Sequence, residues 1–163
     1  MCGLGFEIRF GYDDVESVQS LFSEYIDLLI EVESDFGAYL QIQDYESEIS
    51  DLRGKYGLPG GRLYVMYYDG QAAGCIALRR MSDLECEMKR LFVLPRFRNL
   101  GIAKALVELI ISDARDIGYK SMLLDTLPGL ADAILMYEKA GFYRIPQYND
   151  SPLENTVFMR LDL

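Results

Sequence analysis

The residues with the clearest chemical potential lie between Glu87 and Lys104, in the run EMKRLFVLPRFRNLGIAK. Its first half alternates like a β-strand and ends at Pro95. Its second half carries Arg96, Arg98 and Asn99, closes on Gly101 and Ala103, and leads into the helix-forming segment KALVELIISDAR. A strand, a short basic turn with small residues and a helix start together make an anion site. The first-turn amides of a helix have no intrahelical acceptor, and the helix dipole adds partial positive charge there. Small residues at 101 and 103 let the backbone approach a phosphate closely. The turn therefore predicts a phosphate-bearing ligand.

Composition narrows the chemistry further. There is no histidine, which removes the commonest general base and any His-ligated metal site. Carboxylates, tyrosine, lysine, cysteine or water must do the work. The three cysteines, Cys2, Cys75 and Cys86, are odd in number and widely spaced, which suggests neither a disulfide framework nor a zinc site. Cys75 and Cys86 fall in strand-like segments and read as small buried hydrophobes. A net charge of −10 argues against a nucleic-acid partner. Yet five of the sixteen basic residues, Lys89, Arg90, Arg96, Arg98 and Lys104, crowd into this one stretch. Such a basic segment in an acidic chain fits one small polyanionic ligand, and the acidic remainder favours a cationic partner such as an amine.

The 163 residues suit a single domain with a sizeable core. No apolar run approaches the ~18 residues of a membrane span, and the N-terminus lacks the pattern of a secretory signal, so no membrane partner is expected and the expected compartment is the cytoplasm. Phe6–Phe10 reads as a strand. Asp13 and Glu16 suggest a capping box for a helix carrying Val15, Val18, Leu21, Phe22, Tyr25, Ile26 and Leu29. A short helix is expected over Tyr45–Leu52, followed by a glycine-rich loop from Gly54 to Gly61. Arg62–Tyr68 and Gln71–Arg79 read as a hairpin around Asp69-Gly70. Strand Glu85–Leu94, helix Gly101–Ile117, strand Lys120–Asp125 and a helix from Pro128 or Gly129 to Ala140 follow. Phe142–Ile145 and Asn155–Leu161 complete the order. This pattern predicts a mixed sheet with helices on its faces.

Two motifs then carry a specific resemblance. Arg98-Asn99-Leu100-Gly101-Ile102-Ala103 is similar to the acetyl-CoA signature of the GNAT superfamily of N-acetyltransferases, (Arg/Gln)-x-x-Gly-x-(Gly/Ala). The later segment Tyr137-Glu138-Lys139-Ala140-Gly141-Phe142 resembles that family's Tyr-Glu-Lys-x-Gly-Phe. The resemblance spans nearly the whole chain and is weakest over residues 30–60. It implies a single-domain α/β (α+β) fold over 1–163, with a mixed, mostly antiparallel sheet, helices on both faces and a splayed central strand pair.

It also implies acetyl-CoA as cosubstrate, with no metal. The pyrophosphate would lie on the backbone of Arg98, Asn99, Leu100, Gly101, Ile102 and Ala103, with Arg98 and Lys104 adding charge. The pantetheine arm would take backbone groups of Leu91, Phe92 and Val93. Acetyl transfer needs a neutral amine, a polarised carbonyl and a protonated thiolate leaving group. By resemblance, Tyr137 is the general acid and Glu87 the base, with Glu85 or a water chain as alternatives. The family's asparagine seven residues before the tyrosine is Leu130 here. Asp125 and Thr126 could compensate. The acceptor rim would come from the first helix region, residues 33–60 and the loop 147–155, including Glu31, Glu33, Asp35, Tyr39, Tyr148 and Asp150. The expected acceptor is a small, cationic primary amine attacked in a ternary complex, and a homodimer is compatible with this reading. A non-catalytic acyl-CoA-binding module and a protein N-terminal or lysine acetyltransferase remain alternatives.

Overall fold

Asp69 and Gly70 both take positive φ angles, 48° and 80°. That twist lets the two-residue turn join β2 (Arg62–Tyr68) to β3 (Gln71–Arg80) as a tight hairpin. A computed structural model describes residues 5–37 and 45–163 of the chain. Around the hairpin lie β1 (Phe6–Phe10), α1 (Val15–Val32), α2 (Tyr45–Ser50), α3 (Leu52–Tyr56), β4 (Glu85–Val93), α4 (Ile102–Ile117), β5 (Ser121–Thr126), α5 (Ala131–Ala140), β6 (Tyr143–Ile145) and β7 (Val157–Asp162). The strands form one sheet in the order β1-β2-β3-β4-β5-β7-β6. Every neighbouring pair is antiparallel except β4 and β5. A parallel pair needs a long crossover, and α4 supplies it.

Helices cover both faces. Tyr64 donates to Asp113 on α4, while Tyr67 on the opposite face donates to Asp14 at the start of α1 (2.5 Å). α4 buries Ile102, Leu106, Val107, Ile110, Ile111 and Ala114, the apolar stripe that its sequence spacing dictates. It ends at Gly118 in the left-handed conformation, whose amide returns to Ala114 and Arg115.

Three local readings shift. Residues Gly11–Asp13 form a 3-10 turn, so the helix cap is Asp14, which accepts from the Ser17 amide (3.2 Å), not Asp13. The expected helix over 45–52 breaks at Asp51. That side chain caps a second short helix by accepting from Gly54, which is therefore helical and not loop. α5 starts at Ala131 and not at Pro128 or Gly129. Cys2 and Tyr39 lie outside the described residues. Among the described residues no helix is long and apolar enough to cross a membrane.

Candidate active site

β4 and β5 pair only at Glu85–Ser121, Cys86–Met122 and Glu87–Leu123. Both strands continue past that point, to Val93 and Thr126, but apart. The wedge between them is a cleft lined by Met88 to Leu91 of β4, Leu124 to Leu127, Tyr25 and Leu29 of α1, and Tyr137 of α5. This is the splayed strand pair expected above.

The cause is visible in the other neighbour of β4. Lys89 pairs with Ala77 and Phe92 with Cys75, so Arg90 and Leu91 together face Ile76 alone. That is a β-bulge, which bends its strand and raises the local twist. Arg90 takes φ +60°, a left-handed conformation uncommon for a residue with a long side chain. Its side chain, 4 % exposed, holds the bulge from beneath. It donates to both Glu48 oxygens (2.7 and 3.1 Å), and Lys55 also pairs with that carboxylate. Burial alone would raise the Glu48 carboxyl, but Arg90 and Lys55 outweigh it and hold the pKa at about 2. α2 and α3 are thus tied to the strand that opens.

The sign of that shift makes a prediction. A depressed carboxylate pKa contributes stability above the unfolded value of 4.5 and loses it as pH falls toward about 2. Glu48→Gln should lower stability at pH 7 by about 3–5 kcal/mol, because Arg90 is left buried without its partner. Urea unfolding should show the gap from wild type narrowing between pH 4.5 and 2. A gap that does not change with pH would contradict the ion pair.

The bulge also decides which backbone groups face the cleft. The Leu94 amide donates to Ala73 (2.9 Å), so ladder alternation turns Phe92 toward β3. Leu91 and Val93 then point to the open side. Of the three residues expected to hold pantetheine, Phe92 has its backbone committed to the sheet. The Arg98 Nε occupies the Val93 carbonyl (3.2 Å), which braces the end of β4 against the following turn.

That turn holds Asn99 and Gly101 in the left-handed region, φ 64° and 81°. The first-turn amides of Ile102, Ala103 and Lys104 have no acceptor among the described residues. A Cβ built on Gly101 meets nothing within 4 Å. The positive φ favours glycine, and the space beside it is open. Lys104 is exposed and lies 4.0 Å from Glu108, a loose surface pair. Arg98, Asn99 and Leu100 are exposed at the same mouth.

Tyr137 projects from the buried side of α5 into the cleft, its ring 5.8 Å from Phe142. Burial, with Tyr25 and Asp125 nearby, pushes its phenol far above the usual range, so it stays protonated. Tyr25, in the same lining, is pushed up to about 12 by burial. Glu87, 3 % exposed, sits at the last paired position before the strands part. It accepts from Tyr148 (2.6 Å) and lies 3.2 Å from Arg79 and 3.7 Å from Lys89. Glu85 lies deeper on the paired part and accepts from Ser121 (3.3 Å). Asn149 donates to Asp125 (2.7 Å). Through Tyr148 and Asn149 the β6–β7 loop is fastened to both strands of the wedge. Among the acidic residues expected at the rim, Glu33 accepts from Asn155 of this loop (3.4 Å).

Glu48, Arg79 and Asn149 were not legible as site residues, and Arg90, counted among the basic residues that fit an anionic ligand, is instead buried in an ion pair with Glu48. One signal existed: Lys89-Arg90 interrupts the alternation of an otherwise half-apolar strand. Burial pushes the Cys75 and Cys86 thiols up to about 12, which makes them poor nucleophiles.

Among the described residues the sheet opens at its one parallel pair, and the turn after β4 presents the unpaired first-turn amides of α4. The Acetyltransferase (GNAT) family profile matches residues 21–142. An uncharacterized N-acetyltransferase of Schizosaccharomyces pombe is 36% identical over 152 residues, covering 92% of this chain and 89% of its own. A GNAT-family acetyltransferase structure from Staphylococcus aureus superposes with TM-score 0.76 at 22% identity, over 97% of this chain and 99% of its own. The PaiA N-acetyltransferase of Thermoplasma acidophilum, solved in complex with coenzyme A, gives TM-score 0.73 at 16% identity, over 98% and 100%. The chain belongs to the GNAT family of acetyltransferases.

Proposed function

We propose that this chain moves an acetyl group from acetyl-CoA to a small primary amine by direct attack in a ternary complex. One observation carries the reading: the β4–β5 wedge, with the Tyr137 phenol in its lining, lies on the strand that leads into the turn with the unpaired first-turn amides of α4. The first-turn amides of α4 take the pyrophosphate, as oriented donors at a positive helix end. The outward backbone groups of Leu91 and the outward Val93 amide take the pantetheine arm as an added strand. Placed this way, the thioester lies beside Tyr137.

The amine nitrogen attacks the thioester carbon, a C–N bond forms, and the C–S bond breaks as the carbonyl reforms. Tyr137 gives its proton to the departing thiolate. The proton lost by the amine goes toward Glu87, by way of Tyr148 or water, because that carboxylate is already engaged by Tyr148, Arg79 and Lys89. Glu85 is the weaker candidate, held at the paired end of the strand. The raised thiols of Cys75 and Cys86 favour direct attack over a covalent cysteine intermediate. The β6–β7 loop fastened over the wedge favours a small acceptor, and Asp125 in the lining with the net charge of −10 favours a cationic one. Thiol release from acetyl-CoA, followed across a panel of amines, tests this reading. Amine-dependent release is expected; tight CoA binding with no release for any amine would leave a binding module instead.

A further inference from the structure

β1 forms one edge of the sheet, and little blunts it. It has no proline, lysine or bulge in its pairing with β2, and every residue from Phe6 to Phe10 is exposed. Edge strands with free backbone groups and apolar side chains pair readily with other chains. Here Phe6, Ile8 and Phe10 are 50%, 38% and 37% exposed and share one face. Phe6 lies 5.0 Å from the Tyr68 ring and Phe10 stacks on Tyr64 at 5.3 Å, so the apolar stripe is ordered and continuous with β2. The other face carries two opposite charges, Glu7 and Arg9, joined to each other at 2.7 and 2.8 Å.

The hydrogen-bond register limits what can be added. The Asp69 amide donates to Gly5 (3.1 Å), so Gly5 and Asp69 form a bonded pair. Alternation then turns the backbone of Glu7 and Arg9 toward their β2 partners Tyr67 and Val65. Phe6, Ile8 and Phe10 hold their N–H and C=O groups outward.

We infer that a second copy of this chain adds its β1 antiparallel to this one, about a two-fold axis at Ile8. A symmetric ladder can centre on an outward-facing residue or on the residue between two of them; centring on Glu7 or Arg9 sets like charges opposite one another, whereas Ile8 gives the longest overlap and avoids that. Ile8 then exchanges both hydrogen bonds with the partner's Ile8, and Phe6 and Phe10 lie opposite the partner's Phe10 and Phe6. Glu7 falls opposite the partner's Arg9, and the two-fold makes that contact twice. The charges of this five-residue strand are therefore self-complementary in the symmetric register with the longest overlap. The product is a sheet continuous across two protomers, with each wedge three strands from the junction, so acetyl transfer per chain is independent of it.

Light scattering coupled to size exclusion, run over a concentration series, tests the inference. Wild type should be dimeric. Glu7→Arg and Arg9→Glu each place like charges opposite one another twice, and each should weaken the dimer about tenfold or more. The double variant Glu7→Arg/Arg9→Glu restores opposite pairing and should restore the dimer. All three changes are on exposed side chains, and unchanged circular dichroism and CoA affinity report an intact fold. A wild type that is monomeric throughout, a dimer indifferent to both single changes, or a double variant that stays monomeric overturns it.

Discussion

Gly101→Glu should reduce CoA affinity at least about 100-fold, measured by calorimetry, while circular dichroism shows a folded protein. The loss has two sources. A carboxylate would enter the space beside the first-turn amides of α4, where charge-assisted hydrogen bonds to phosphate are each worth about 1.5–3 kcal/mol. A side chain at φ +81° also costs about 1–2 kcal/mol of backbone strain, which can tilt the start of the helix. The fold survives because a Cβ at this position meets no protein atom within 4 Å. Gly101→Ala separates the two sources: it carries the strain without the charge and should lose much less affinity. Unchanged affinity in the glutamate variant would take the turn out of the site.

Tyr137→Phe should lower kcat about 100-fold or more and leave the KM for acetyl-CoA nearly unchanged. Proton transfer from a placed side chain typically contributes 10²–10⁴-fold, roughly, to such a step. Phenylalanine keeps the ring that packs 5.8 Å from Phe142, so the helix and the cleft wall remain. Burial raises the phenol pKa, which favours the protonated form that a general acid needs. Loss of KM alone would make Tyr137 a binding contact, since only an interaction made in the transition state lowers kcat in this way.

Local features were legible because they depend on neighbours in sequence. The Asp69-Gly70 hairpin, the glycine ends of α4 and α5, and the strand before the anion turn all follow from residue types a few positions apart. The element order and the mixed sheet follow from them. The start of α1 slipped by one residue because either Asp13 or Asp14 can cap, and the 3-10 turn over 11–13 decides between them. Residues 45–56 were harder: Gly54 looks like loop chemistry, yet the Asp51 cap makes it helical.

The site divides in the same way. The sequence by itself determined that a basic, glycine-containing turn follows an alternating strand, that the chain has no histidine to offer, and, by resemblance, that Tyr137 and Glu87 match the family's acid and base positions, with Glu85 or water as alternatives for the base. It could not decide where β4 leaves β5. That depends on a bulge held by Arg90 and Glu48, which are 42 residues apart. Nor could it decide which partners Glu87 has, since Arg79 arrives from the neighbouring strand and Tyr148 from a loop 61 residues later. Hydrogen-bonding direction along a strand follows from its register with its neighbour. So the tertiary structure alone assigns Leu91 and Val93 to the cleft and Phe92 to the sheet, and turns Phe6, Ile8 and Phe10 outward at the opposite edge.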